Sequence, residues 1–384
     1  MTQLSKLAIV GIGKEVTPNT YQAPSIYVPF SKADWEDTTA EIKDESYRAN
    51  DTSVQGLYAG VQDATWTIDV MGYPDLVGWW LRGVIGPDTI SAGVSTTLAT
   101  SSTAGATSIS ATASIPAGST IMIQDTAGAN LEYAVTGAPT GTGPYTIPIT
   151  TPATGLLYAH TSPTCTLVSQ TTHTFKQSAT AIPSYSITVY DTVGTTGYVG
   201  SKLAECQMKI DPKSAVSFAL KYNSFPGASQ SAMTPTYTAY PPEIGWQWNM
   251  TNAGGASTRG LSYDVTIKRV TEPIHSSDGV QAPREIFSGT LDMDGTYKAI
   301  FENLTDLNLF TNYTQTPATA TLTQPLSAGG ASLAMTMTRS GWYKGKRDLG
   351  SAYVQADFSI SGIYNTTDGG AVSAVLKNYQ TTAY

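Results

Sequence analysis

Residues 215–221 read AVSFALK, and near the far end of the chain residues 371–377 read AVSAVLK. A second echo links 60–69 (GVQDATWTID) to 289–294 (GTLDMD), each just ahead of an apolar run with helical spacing, at 74–84 and 298–309. A repeat constrains a fold more than any local propensity, because each copy must close the same kind of core. The two offsets are 156 and 229 residues and differ by 73, so the first copy should carry an insertion of that size between its helix and its last strands. The stretch from Arg82 to Lys176 contains no other Lys or Arg, and it marks the same place. The sequence therefore predicts two copies of one β-rich module, the first interrupted by a small third domain.

Only 13% of the 384 residues are charged, Gly, Ser, Thr, Ala and Tyr are abundant, and long helical periodicity is scarce. That balance favours an all-β chain with many turns and a few short helices, long enough for two or three domains. A formal net charge of −8 argues against a nucleic-acid binder of the basic-patch kind. Cys165 and Cys206 are too few for a disulfide framework and read as free thiols. The apolar run at residues 7–13 is too short for a signal peptide, and no segment approaches membrane-spanning length. Synthesis in a reducing cytoplasm is the expectation.

The expected bounds are 1–90 with 165–225 for the first module, 91–164 for the insert, 226–243 for a linker containing Pro241-Pro242, and 244–384 for the second module. Trp66, Ile68 and Val70 alternate with Thr65, Thr67 and Asp69, the pattern of a half-buried strand. Pro74, Asp75 and the apolar Leu76, Trp79 and Trp80 predict a helix, ended by Gly86-Pro87. In the insert, residues 107–113, 120–124, 131–136 and 145–150 are candidate strands, and Asp88, Asp125 and Glu132 are the charges in and beside them. A nearly uncharged, immunoglobulin-like β-sandwich is the natural reading. In the second module 261–269 is a strand, 270–284 a long loop matching that at 45–54, and 342–347 a basic hairpin tip.

Chemical motifs are sparse. Gly11-Ile12-Gly13-Lys14 follows an apolar strand but lacks the Walker spacing, and Val16 stands where a dinucleotide fingerprint needs glycine. His160, Cys165 and His173 fit no zinc spacing and want a fourth ligand. Asp292 and Asp294 share one side of a strand, where a solvated edge is commoner than a calcium site or acid/base pair. With three histidines and no G-x-S-x-G, nucleophilic catalysis has no support, so no catalytic, cofactor or metal residue is assigned. Lys344, Lys346 and Arg347 form a basic cluster that is either solvated or meets acids of a neighbouring subunit, such as Glu41, Asp44 and Glu45. Arg48 and Arg284, in and beside the two loops, complete the set of candidate contact residues between subunits or rings.

Residues 13–18 (GKEVTP), 27–30 (YVPF), 42–46 (IKDES), 60–69 before a Trp-rich helix, 181–187 (AIPSYSI) and 209–213 (KIDPK) together resemble the tail tube (major tail) proteins of long-tailed, non-contractile bacteriophages. The likeness covers most of the chain outside the insert. It implies a β-sandwich or open barrel flanked by a helix, whose strands join those of neighbours around a ring. It further implies a homo-oligomer, a trimeric ring with pseudo-sixfold symmetry or a hexamer, stacked into a tube in the virion tail after synthesis in the host cytoplasm. Tail tip, tape-measure and terminator proteins would be partners, and viral DNA would pass without sequence-specific binding, with no membrane or cofactor involved. The rival readings are a carbohydrate-binding or adhesion β-sandwich, suggested by the many Trp and Tyr, and a glycosidase, for which no carboxylate pair can be located.

Overall fold

The structure, a computed structural model, describes residues 4–48, 53–126, 129–178, 182–252, 255–257, 259–302 and 304–384. Residues 49–52 of the expected 45–54 loop lie outside these, as do Ala181 of the AIPSYSI motif and Asn303 at the centre of the 298–309 run.

The chain opens with β1 (Ile9–Lys14), β2 (Ile26–Tyr27), β3 (Phe30–Asp44), β4 (Gly56–Met71), helix α1 (Val77–Val84) and β5 (Asp88–Ser91). The insert supplies β6 (Ser95–Thr97), β7 (Ser108–Ala111), β8 (Thr120–Gln124), β9 (Glu132–Thr136), β10 (Tyr145–Thr151) and β11 (Thr166–Ser169). Next come β12 (Thr171–Lys176), β13 (Tyr185–Tyr190), β14 (Thr195–Ile210), β15 (Ser217–Ser224) and β16 (Ala228–Ser229). The last part holds β17 (Trp248–Asn252), β18 (Gly255–Ser257), β19 (Gly260–Ile274), β20 (Glu285–Ile300) and α2 (Thr305–Thr311). It ends with β21 (Thr316–Thr323), β22 (Ser332–Asp348), β23 (Gln355–Gly362) and β24 (Ser373–Asn378).

Eight long strands form one curled antiparallel sheet in the order β3-β4-β15-β14-β19-β20-β23-β22. Its two halves repeat each other closely. Partner pairs of β3–β4 recur in β19–β20 with the numbers raised by 230 on the first strand and 229 on the second. The same holds for β14–β15 and β22–β23, at 139 and 138, and for β13 and β21, at 131. Four register shifts recur at matching points: Phe30/Lys32 with Gly260/Ser262, Thr39/Glu41 with Arg269/Thr271, Tyr185/Ile187 with Thr316/Ala318, and Leu203/Glu205 with Trp342/Lys344. Bulges bend strands and fix register, so their recurrence reproduces shape as well as pairing.

That correspondence overturns one expected equivalence. β15 lies between β14 and β4, and its counterpart is β23, whereas the AVSAVLK segment falls on β24, which joins β22 to β12. Both segments are buried strands with the same apolar alternation, so the likeness reports environment and not position. The offset falls from 229 at β4/β20 to 131 at β13/β21, so the first half is longer there by 98 residues instead of 73.

β14 and β22 each bend at their bulge and pass into a second layer, where β14 meets β13 and β22 meets β21. One apolar core fills the space between layers and runs through both halves, with Trp66, Tyr198 and Tyr222 in the first and Tyr297, Trp342 and Phe358 in the second. Helix α1 buries Val77, Trp80, Leu81 and Val84, one apolar stripe, against that core. The halves also interlock, because β12, flanked by β5, adds to β24 of the second half.

The insert is one six-stranded sheet in the order β6-β11-β8-β9-β10-β7, and a bridge from Leu98 to Ala111 brings the last strand back to the first. Its strands span 95–169, past the expected boundary at 164, and the sheet closes toward a small barrel where an immunoglobulin-like sandwich was expected. Among the described residues, the bridge from Leu98 to Ala111 gives each end strand of the sheet a neighbour.

Three local expectations change. Lys298, Ala299 and Ile300 continue the alternation of β20, and the helix starts only at Thr305. Residues 270–274 extend β19 and shorten the expected loop to 275–284. Lys344, Lys346 and Arg347 lie within β22, on the run into a turn at 349–354.

Candidate assembly surface

Where the halves meet, β14 and β19 pair from Glu205↔Lys268 to Ile210↔Tyr263. On one face of this seam Cys206, Met208, Ile210, Tyr263, Val265 and Ile267 are buried in the core. On the other, Glu205 lies 3.0 Å from Lys221 and 3.8 Å from Lys268. The seam is thus apolar inside and salt-linked outside, and backbone hydrogen bonds carry it.

Two strand edges carry no such partner among the described residues. β3 pairs only with β4, and residues 341–348 of β22 pair only with β23. These are the opposite borders of the eight-stranded sheet. Carrying the seam across by the offsets of 230 and 139, Tyr263–Lys268 corresponds to residues 33–38 and Glu205–Ile210 to residues 344–349. The first row holds Asp34, Glu36 and Asp37; the second holds Lys344, Lys346 and Arg347. Lys346 then falls opposite Glu36, as Gln207 does opposite Thr266 in the seam. An isolated β-protein guards long open edges, whereas these two differ in sign and match in register.

Local contacts leave both rows available. Lys32 Nζ sits 2.6 Å from Asp34 at the surface, and that hydrogen bond holds the ammonium above its usual range. Tyr198 donates its hydroxyl to Asp37 Oδ2 at 3.0 Å. The Arg347 guanidinium rests 6.0 Å over the Phe301 ring, while Lys344 and Lys346 stand exposed. The Gly350 N–H holds the Asp348 carboxyl below its usual range.

Beyond the sheet the hairpins run on as two arms, since residues 56–63 pair only with β3 and 285–293 only with β19. The arms carry Ile42, Leu57, Tyr58 and Val61 on one and Val270, Ile274, Val280 and Phe287 on the other, all exposed. They touch: Gln62 donates its N–H to the Gln281 carbonyl at 2.9 Å, and Gln281 Nε2 donates to the Gly60 carbonyl at 3.0 Å. Within the first arm Lys43 is 3.3 Å from Glu41, and Arg48 donates to Asp44 at 2.7 Å. Glu45 is exposed at its end, and Arg284 stands at the base of the other loop, its N–H donating to Ile274. The structure keeps these residues apart from Lys344, Lys346 and Arg347, which lie across the sheet. Asp34, Glu36 and Asp37 escaped notice in the sequence, where only alternation within a long strand sets them on an edge.

Among the described residues, the Gly11–Lys14 and Asp292/Asp294 motifs gather no cluster of metal-ligating side chains. Gly11 and Gly13 sit inside β1, where a side chain would strike Pro24 and the Gln22 and Ala23 carbonyls, and Lys14 donates to the Tyr384 carbonyl at 3.0 Å. Asp292 faces Lys268 across the β19–β20 ladder. His173 is held between Asp88 and the Gln380 carbonyl, away from His160.

Set beside known proteins, residues 5–362 match the family described as phage tail tube protein. No curated protein matches the chain.

Proposed function

Because the chain belongs to the phage tail tube protein family and is a structural component of the virion tail, we propose that it is a tandem of two tube modules that closes into a ring by repeating its own internal seam between copies. Residues 344–349 of one copy pair with residues 33–38 of the next, in the register of β14 on β19. The observation that carries this reading is the identity of pairing and bulges in the two halves, which gives each open edge a partner of known shape. Three copies close as six modules, a trimer with pseudo-sixfold symmetry. Eight strands from each of three copies make a barrel of roughly 24 strands, which at ~4.8 Å spacing and ~40° tilt has a backbone diameter of roughly 45 to 50 Å. Such a lumen admits duplex DNA.

The open face of the sheet lines the channel in this arrangement. It mixes Lys209, Lys268, Asp264, Asp292 and Asp294 with Thr266 and Gln207, with no continuous basic stripe to grip phosphates. The arms, with their exposed apolar residues, reach the next ring and stack the tube. The role is architectural and needs no catalysis.

A double variant, Glu36→Cys with Lys346→Cys, tests the seam. The native thiols Cys165 and Cys206 are buried, so background linkage is low. Under mild oxidation the double variant is expected to give covalent dimers and trimers of the chain, and each single variant none beyond the disulfide of like edges. A double variant that stays monomeric while wild-type rings form beside it overturns the register.

A further inference from the structure

We propose that the insert holds a transition-metal ion of the zinc class, with His160 Nδ1, Cys165 Sγ and the Asp125 carboxylate as ligands. Their donor atoms lie within 4.8 Å of one another; Asp125 directly follows β8, Cys165 directly precedes β11, and His160 lies in the segment before it. His160 is 1% exposed and Cys165 is fully buried.

The geometry of the imidazole carries the argument. Nε2 lies 2.7 Å from Glu132 Oε1, and the Glu132 carboxylate also accepts the backbone N–H groups of Leu157 at 2.6 Å and Tyr158 at 3.2 Å. With the ring proton on Nε2, that N–H donates to Glu132 Oε1 and Nδ1 is left to present its lone pair. Nδ1 makes no hydrogen bond although it is buried, and it points at Asp125, 3.4 Å away. That separation is the edge of a tetrahedron with bonds of about 2.1 Å, the geometry of zinc sites. A carboxylate behind one ring nitrogen and an open lone pair at the other is the arrangement that orients metal-binding histidines.

The remaining donors are likewise set. Asn130 Nδ2 at 2.9 Å and the Thr161 N–H at 3.3 Å hold the Asp125 carboxylate, while the Cys165 sulfur lies 3.8 Å from the Thr166 carbonyl and interacts with the Asp125 side chain. Asp125 and Glu132 are the insert's two acids, and no Lys or Arg lies between Arg82 and Lys176 to balance them. One nitrogen, one thiolate and one carboxylate suit Zn(II) over Mg(II) or Ca(II), with water in the fourth place. The ion clamps β8 to β11 in a domain whose apolar core is small. Spacing hid the site, because Asp125 lies 35 residues before His160 and no paired motif precedes it.

The test uses the purified full chain, stripped by chelator and titrated with Co(II) and then Zn(II). The expected result is a near-ultraviolet thiolate-to-cobalt band, lost on adding one equivalent of Zn(II) and absent in Cys165→Ser, while Cys206→Ser retains it. Glu132→Gln is expected to weaken Zn(II) binding about 10- to 100-fold, and Asp125→Asn, a partly exposed change that spares the fold, to weaken it at least as much. A folded wild-type chain that gives no cobalt band and takes up no Zn(II) overturns the proposal, as does a band that survives Cys165→Ser.

Discussion

Glu243 shows how much one side chain can be asked to bear. It is fully buried, its backbone bridges Gly72 and Val216, and neither carboxylate oxygen finds a hydrogen-bond partner. Gly72 makes room for it, since a side chain there would lie 3.0 Å from Oε2. Burial pushes the carboxyl up to about 8 from an ordinary 4.5, so the folded chain keeps the proton at neutral pH while the unfolded chain releases it. The native state binds more protons through that window, and stability must fall as pH rises from about 4.5 to about 8. The loss is on the order of 4 kcal/mol by pH 8. Urea denaturation at pH 5.5 and pH 8 should show that decline in the wild type and a much flatter response in Glu243→Gln; parallel curves would refute it. Nothing in the sequence marked this residue, which stands in a Pro/Ser/Thr-rich run that reads as a linker. Its burial depends on β15 and the turn after β4 closing over it, a long-range event. Trp66, Ile68 and Val70 were legible because alternation is local and the core face follows from it.

At the level of elements, the long hairpins decide what the molecule presents. β19 was read as a shorter strand followed by a loop, because Glu272 and Ile274 alternate without a buried face, and β3, with Glu41 and Lys43 likewise exposed, was not read as a strand. An arm that leaves the sheet has no core to imprint a pattern on it. The same lack of context disguised the start of α2, where the strand residues Lys298 to Ile300 mimic a helical stripe. The basic row at 344–347 read as a tip for a related reason: sequence shows the charge but not the edge that carries it. If the arms stack rings, Leu57→Asp with Phe287→Asp should leave single rings intact and abolish tubes, since both side chains are exposed and neither supports the core. Electron micrographs showing tubes of ordinary length from this variant would remove the arms from that role.

For the whole molecule, one of the two echoes that suggested a repeat joined unlike strands. The 60–69 and 289–294 segments do fall on equivalent strands, β4 and β20. What no single strand could reveal is that the halves share a sheet, whose two borders meet in the proposed ring. Charge should therefore govern encounter. Lys346→Glu is expected to slow ring formation at least tenfold at low ionic strength, with Glu36→Lys in the same chain restoring the rate, and the wild-type rate should fall as salt screens the edges. Light scattering after dilution from denaturant measures it. An unchanged rate for Lys346→Glu would show that backbone pairing alone drives closure.

The seam between β14 and β19 lies inside one polypeptide, so every second joint of the proposed ring is already tethered. Six separate modules would have to find one another six times, whereas three such chains meet three times. The reaction order of closure is correspondingly lower. Rings of this kind should keep forming on dilution to levels at which unlinked modules would remain apart.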